Sequence, residues 1–342
     1  MPDPRVVIVG ATGAVGRVAL QVIEERRFPL ASLRVCATPR SYGKIIPFRG
    51  QDLVVEEANA ALFAGCDLAF ISASTAASRE LGRLAAGEGC VVIDDSSAYR
   101  MEPDVPLVVP EINGADVDWH KGILSIPNCS TTPLVMALWP LHRINPVKRI
   151  TVATYQSVSG TGAAAMAELD AQARDILDGK VPTVETYPHQ IAFNVLPQVD
   201  AFLESGYTVE EQKMVDETRK IMHAPEIAIS ATCVRVPGPV SHSEAVHVEF
   251  ERPMGPGEAR ALMSDFPGLV VLDDPANSSY PMPVDATGKD DVFVGRIRAD
   301  ASKEGGLAMW VVSDNLRKGA ATNAIQIAEE IVKRGAWLRA PL

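Results

Sequence analysis

Two things are scarce in this chain: positive charge and long apolar runs. Lys and Arg number 32 against 43 Asp and Glu, for a formal net charge of −11. A nucleic-acid partner would want a concentrated basic face, which this balance argues against. Small anionic substrates are not excluded, because a few local cations suffice to hold them. No stretch approaches the roughly 18 apolar residues of a membrane span. The five cysteines are odd in number and scattered, unlike a secreted disulfide framework. The opening MPDPRVVIVG runs from a polar tip directly into strand-like residues, with neither the basic nor the cleavable apolar region of a signal peptide. These absences predict a cytoplasmic protein with reduced thiols, and no metal is expected. What is present is ordinary globular material, 342 residues with 47% apolar and 22% charged. That length favours two domains over one core.

The first half alternates strands and helices. Arg5–Val9 is a short Val/Ile strand, followed by GATGAVG at 10–16 and a helical pattern at 17–25. Glycines at this spacing allow a tight turn and let a pyrophosphate sit on the helix N-terminus. The next strand, 33–37, runs into Thr38, Pro39, Arg40, Ser41, Tyr42, Gly43 and Lys44. NAD-binding folds usually place a carboxylate near here. A guanidinium and hydroxyls suit a 2′-phosphate instead, so NADP is the expected nucleotide. Buried strands at 67–73 and 90–94 flank a helix at about 76–86, the signature of a parallel sheet with helical crossovers. The loops that follow, 72–75 and 95–100, fall at the carboxyl edge of the sheet, where ligands bind. Arg100 is the one basic residue of the second loop, an anion ligand or a surface arginine. Strands at 107–110 and 122–126 complete this half.

The stretch SIPNCSTTP, 125–133, is the centre of the chain. Cys129 lies between a strand and an apolar helical pattern at 133–141. Unpaired N–H groups and the helix dipole at such a turn favour a thiolate, and a thiolate is a nucleophile at neutral pH. The same N–H groups suit an oxyanion or a phosphate. The alternative is a small buried hydrophobe, which the other four cysteines fit better.

In the second half a strand at 148–157 ends in YQSVSGTG and leads into a helix, Ala163–Leu177. Gln156 is placed there beside a ligand or as a sheet-edge hydrogen-bonder. A proline-broken connection at 182–197 holds His189. A helix at 208–223 carries Glu210 and Lys213 on one face, a spacing that fits a surface ion pair as well as a site. A strand at 226–236 reaches Arg235, and another at 245–251 returns. His242, in the kinked turn between them, is the best located of the six histidines to partner a thiol. His247 reads as structural. Further strands at 291–298 and Leu307–Ser313 predict a mixed, largely antiparallel sheet whose apolar face wants a partner subunit. An amphipathic helix at 320–333, beginning near Thr322 and Asn323, is expected to pack back on the first domain near its nucleotide.

In order and separation these segments resemble the aspartate-β-semialdehyde dehydrogenase family nearly end to end. The likeness rests on GATGAVG, PNCST around Cys129, YQSVSGTG, the Glu210/Lys213 helix, SATCVRVP with Arg235, HSEAV with His242, DATGKDDVFVGRIR and WVVSDNLRKGAATNAIQIAE. It implies an α/β fold: a Rossmann-type parallel-sheet NADP-binding domain over 1–127 and an α+β catalytic and dimerisation domain over 128–319. A C-terminal helix at 320–342 would return to the first domain. By the same resemblance Cys129 is the nucleophile, His242 the general acid/base, and Gln156 orients the acyl group. Arg235 grips the substrate carboxylate, Glu210 its amino group, and Arg100 and Lys213 form a phosphate site with Asn128. Implied nucleotide contacts are Gly10, Thr12, Gly13, Ala14, Val15, Gly16, Thr38, Arg40, Ser41, Ser72, Ser159, Gly160 and Asn323. The implied reaction converts L-4-aspartyl phosphate and NADPH to L-aspartate 4-semialdehyde, inorganic phosphate and NADP+, in a homodimer or tetramer. Two places depart from the family form: Ser72-Ala73-Ser74-Thr75 where a glycine-rich turn is usual, and Gly238–Ser241 before His242. The first could alter nucleotide affinity, the second how firmly His242 is held. The rival enzyme is N-acetyl-glutamyl-phosphate reductase, whose acetylated substrate would give Glu210 no cation. A silent nucleotide-binding paralogue is the rival of another class.

Overall fold

The computed structural model describes residues 2–338. The chain divides into two units, one taking the chain up to Pro127 and again from Ala320, the other Asn128–Gly319.

The first unit is a sheet of seven strands: β1 (Arg5–Val9), β2 (Ser32–Cys36), β3 (Ile45–Phe48), β4 (Gln51–Glu56), β5 (Leu68–Ile71), β6 (Val91–Asp94) and β7 (Ile123–Ser125). Their spatial order is β3-β4-β2-β1-β5-β6-β7. The continuous apolar run of β1 follows from its central place, because both faces of the strand are covered. Val6 and Ile8 enter one core, with Ala19, Val22 and Ile23 of the helix Ala14–Glu25 and Ile327 and Ile331 of the helix Thr322–Arg334. Val7 and Val9 point the other way and pack with Ile71, Ala85 and Val92. The period of two along one strand thus builds two cores.

The sequence reading errs in two places in this unit. The expected strand at 107–110 is a single bridge, Leu107 to Ser125. Pro110 instead opens a short helix, Pro110–Asn113, where its fixed φ and missing N–H cost nothing. The hairpin β3–β4 was not anticipated, and β3 is antiparallel at the sheet edge. Its turn, Arg49-Gly50, has φ of 47° and 75°, the doubly positive geometry that suits the twist of a two-residue hairpin.

The second unit carries six strands: β8 (Val147–Gln156), β9 (Ala228–Arg235), β10 (His242–Phe250), β11 (Leu269–Val271), β12 (Val292–Ala299) and β13 (Leu307–Ser313), in the order β11-β12-β13-β10-β8-β9. The inner pairings are antiparallel, while β8–β9 and β11–β12 are parallel. The helix Thr131–His142 is apolar all round and almost wholly buried, as a helix without a polar face must be. The helix Val209–Ile221 starts at Thr208, whose hydroxyl accepts from the Glu211 N–H while Glu211 reaches back to the Thr208 N–H. This capping box satisfies two otherwise orphaned donors. It also fixes where Glu210 and Lys213 stand. Among the described residues no helix is long and apolar enough to cross a membrane.

Candidate active site

The first unit holds a cleft of about 480 Å³ lined by Gly10, Thr12, Gly13, Ala37, Thr38, Arg40, Ser41, Lys44 and Ser72. Gly10 has φ +87°, and a Cβ there would lie 2.0 Å from the Ser72 carbonyl oxygen. A Cβ on Gly16 would lie 2.2 Å from the Gly10 oxygen. Both positions therefore require glycine, and the tight turn delivers the N-terminus of the helix Ala14–Glu25, with Ala14 and Val15 in its first turn, to the cleft. Lys44 Nζ and Thr12 Oγ1 reach Ser41 Oγ at 3.5 and 3.3 Å. The lining contains two cations and no carboxylate, a donor set that fits a nucleotide with a 2′-phosphate. Ser72 Oγ donates to Asp95 Oδ2 at 2.8 Å, and Ser74 caps the next helix by accepting from the Ala77 N–H. The departure at 72–75 therefore replaces a glycine turn with a capped one.

Arg100 and Asn323, also named from the sequence, are held elsewhere in this unit. Arg100 is buried, with Nη2 donating to the Asp95 carbonyl at 2.7 Å. Asn323 is fully buried, with Nδ2 donating to the Val108 carbonyl at 2.8 Å. It ties its helix to the loop before residue 110.

The second unit assembles the remaining candidates. Asn128 and Cys129 stand just before the helix Thr131–His142. The Asn128 N–H donates to Glu217 Oε2 at 2.6 Å, and its Oδ1 accepts from the Ser130 N–H at 2.8 Å. The turn is thus fixed on both sides of the cysteine. Cys129 Sγ lies 3.3 Å from His242 Nε2. Burial and the Arg235 guanidinium push the imidazole down to about 3, so it is neutral at physiological pH. Its Nδ1 accepts the Ser157 N–H at 3.0 Å. A neutral ring that accepts at Nδ1 carries its proton on Nε2, facing the sulfur. By contrast, burial raises Cys36 to about 11 and Cys90 to about 12. Those thiols are inert.

His242 is the first residue of β10 rather than part of the preceding turn, and Arg235 is the last residue of β9. The connecting Gly238–Ser241 is strapped down. The Gly238 and Pro239 carbonyls accept from the Val158 and Ser159 N–H groups at 2.9 and 3.1 Å. Ser241 adopts φ +72°, uncommon away from glycine. Its N–H donates to Asn315 Oδ1 at 2.9 Å. The unusual sequence before His242 therefore leaves the histidine firmly held.

Around this pair lies a buried polar network. Glu210 Oε1 accepts from Asn128 Nδ2 and Gln156 Nε2, both at 2.9 Å, and Oε2 pairs with Lys213 Nζ at 3.1 Å. Burial alone would raise Glu210, but Lys213, Gln156 and Asn128 together pull it down to about 2. It is a carboxylate throughout the working range. Arg235 Nη1 donates to the Ser157 carbonyl at 2.7 Å. A Cβ on Gly160 would lie 3.2 Å from Arg235 Nη1 and 3.4 Å from His242 Nε2, so Gly160 opens the space in front of both. Ser159 Oγ hydrogen-bonds Asn315 at 3.1 Å. Among the described residues no group of three or more His, Cys, Asp or Glu is placed to hold a metal ion.

A family model described as semialdehyde dehydrogenase, dimerisation domain, matches residues 138–318, and one described as semialdehyde dehydrogenase, NAD binding domain, matches 5–120. Aspartate-semialdehyde dehydrogenase of Aquifex aeolicus is 53% identical over 97% of this chain and 98% of its own. The chain belongs to the aspartate-semialdehyde dehydrogenase family. The crystal structure of aspartate semialdehyde dehydrogenase II from Vibrio cholerae, complexed with ASA, superposes with a TM-score of 0.95. It is 42% identical and covers 97% of this chain and 99% of its own. That of aspartate semialdehyde dehydrogenase with NADP from Candida albicans gives a TM-score of 0.76 at 26% identity, covering 98% and 99%. The second unit places Asn128, Cys129, Gln156, Glu210, Lys213, Arg235 and His242, all named from the sequence, in one linked cluster.

Four residues that build the site carried no expectation. Ser157 and Asn315 lie inside quoted segments, yet only their contacts show that they support His242. Glu217 is seven residues beyond Glu210 and so shares its helix face, a signal that was there to find. Gly319 passes so close that a Cβ would lie 3.0 Å from Cys129 Cβ. It lies in the same family-like segment as Asn315, and only this contact shows its role.

Proposed function

We propose that Cys129 and His242 form the reacting pair of this family member, which catalyses the aspartate-semialdehyde dehydrogenase reaction through a cysteine intermediate. The observation that carries the assignment is the 3.3 Å contact between Cys129 Sγ and His242 Nε2. Cys129 thiolate attacks the acyl carbon of L-4-aspartyl phosphate, the C–O bond to phosphate breaks, and a thioester forms with release of inorganic phosphate. Bound NADPH supplies the hydride that reduces the acyl carbon. Return of the electron pair to Cys129 sulfur then frees L-aspartate 4-semialdehyde. His242 donates from Nε2 to the thiolate and to the oxygen that gains charge at the acyl carbon. The reverse direction runs the same steps backwards, with phosphate attacking the thioester.

The polar network supplies orientation. Arg235 holds the substrate carboxylate and Glu210, ionised and fixed by Asn128 and Gln156, holds its ammonium. Gln156 steadies the acyl group. Lys213 binds the phosphate. In the first unit the glycine turn, Thr12, Ala14 and Val15 take the pyrophosphate, and Thr38, Arg40 and Ser41 take the 2′-phosphate. Ser72 completes the nucleotide contacts of this unit. The first unit is thus the NADP-binding domain, with the C-terminal helix as part of it. The second is the catalytic and dimerisation domain of a homodimer. Five cysteines outside any disulfide suit a reducing, cytoplasmic setting. The reaction serves lysine, threonine, methionine and isoleucine biosynthesis.

The test is reduction of NADP+ with L-aspartate 4-semialdehyde, with and without phosphate, alongside N-acetylglutamate semialdehyde. Phosphate-dependent turnover of the first substrate alone supports the reading. Preference for the acetylated substrate overturns the role given to Glu210.

A further inference from the structure

Lys213 is shared between two carboxylates of different character. Glu210 is buried and tied to Asn128 and Gln156. Asp200 belongs to the loop before the helix Val209–Ile221, and its side chain is 42% exposed. Asp200 Oδ2 nevertheless sits 2.9 Å from Lys213 Nζ, closer than Glu210 at 3.1 Å. The loop, not the core, holds it there. Asp200 has φ +69°, a left-handed conformation that Asp tolerates better than most residues. Its Oδ1 accepts from the Ala201 N–H at 2.8 Å, and its carbonyl accepts from Gln198 Nε2 at 3.2 Å. The Ala201 carbonyl in turn accepts from the Val209 N–H at 2.9 Å, at the first residue of the helix that carries Lys213.

We propose that Asp200 is a positioning residue that occupies Lys213 in place of the substrate phosphate and thereby sets phosphate affinity. The inference rests on the assignment of Lys213 to the phosphate site. One ammonium flanked by two carboxylates leaves a local charge of −1, so an arriving phosphate meets a cation that is already neutralised. Glu210 cannot give way, because three donors fix it. Asp200 can, because only a surface turn and one ion pair restrain its side chain. Phosphate displaces Asp200 from Lys213, and Asp200 returns when phosphate leaves. This keeps the ammonium aimed at the site between turnovers and weakens phosphate binding enough to permit release.

The experiment is Asp200→Asn in the intact chain, which keeps the shape and the tolerance for left-handed backbone while removing the charge. Phosphate KM is measured in the NADP+-reducing direction at low and high ionic strength. Freeing Lys213 from a competing, partly exposed ion pair implies a KM lower by about 2- to 5-fold at low salt. The gain shrinks as salt rises, and kcat changes less than twofold. Lys213→Met raises phosphate KM, and adding Asp200→Asn to it produces no further fall, because Asp200 acts through Lys213. An unchanged or raised phosphate KM in Asp200→Asn, with Lys213→Met raising it, overturns the inference and leaves the phosphate site standing. An unchanged phosphate KM in Lys213→Met removes the phosphate assignment, and the inference with it.

Discussion

Gly319→Ala is the smallest change that should disable the nucleophile without touching a reactive group. The added Cβ would lie 3.0 Å from Cys129 Cβ and 3.3 Å from its Cα and carbonyl oxygen. Carbon atoms pack best at about 3.5–4.0 Å, so Cys129 must retreat by roughly 0.5–1 Å. It cannot retreat freely, because Asn128 is pinned by Glu217 and Ser130 on the other side. The contact from Cys129 Sγ to His242 Nε2, 3.3 Å in the native structure, absorbs the movement. A misplacement of about 1 Å at a reacting group costs on the order of 10²-fold in rate. Overpacking of this kind destabilises by about 1–3 kcal/mol, small enough for a folded protein. The assay is kcat at saturating substrates, with a thermal melt to show folding and iodoacetamide labelling to report thiol reactivity. A folded variant with kcat down about 10²-fold is expected. A kcat within twofold of the parent refutes the reasoning that this close approach sets the position of Cys129.

Arg40→Ala should raise the NADPH Kd by roughly 10- to 100-fold, the loss of a charge-assisted contact, and leave NADH binding nearly unchanged; equal effects on both would remove Arg40 from the 2′-phosphate. His242, held down to about 3 by burial and Arg235, should show no imidazole titration by NMR between pH 5 and 8, and a midpoint near 6.5 would contradict the neutral tautomer. Its depressed folded pKa adds stability that is present above the ordinary imidazole pKa and lost as pH falls towards 3. Glu244 is fully buried in β10, between Thr154 of β8 and Val311 of β13, and burial raises its carboxyl well above the usual range. The folded form therefore keeps a proton that the unfolded chain loses near pH 4.5, so stability falls as pH rises above that value, by about 1.4 kcal/mol for each pH step of one. Glu244→Gln should melt higher than the parent at pH 8 and equally at pH 4; a difference independent of pH would show that the cost is not ionisation.

Much of the fold was legible because its elements carry strong local signals. The alternation of Val/Ile strands and amphipathic helices fixed the parallel sheet, and the helix Ala163–Leu177 and strand Leu307–Ser313 were read to the residue. The misreadings have local causes. Residues 107–110 look like a strand by composition, but Pro110 has no N–H to give a ladder and starts a helix instead. β3 and β4 are short and half exposed, so their apolar content is diluted and only the Arg49-Gly50 turn defines them. Gly238 and Pro239 make the sequence around His242 look like a turn. The strand begins at that residue because the left-handed Ser241 ends the turn one position earlier.

The site divides in the same way. Cys129, Gln156, Glu210, Lys213, Arg235 and His242 sit in segments distinctive enough to be named from sequence. Ser157, Asn315 and Gly319 act by backbone donation, by a buried amide and by the absence of a side chain. Such roles depend on strands distant in sequence meeting in space, and no local pattern encodes them. Asn323 was named by resemblance alone, and what the fold adds is the bond from its amide to the Val108 carbonyl, which no local pattern announces.

In the proposed mechanism an acyl group rests on Cys129 between the two half-reactions. It is sought most directly by mass spectrometry of the acid-quenched enzyme after mixing with NADP+ and L-aspartate 4-semialdehyde in the absence of phosphate. The expected result is an aspartyl adduct on the peptide containing Cys129, one equivalent of NADPH formed per site, and loss of the adduct when phosphate is added. Steady turnover with no adduct on that peptide, persisting in Cys129→Ala, would contradict the mechanism.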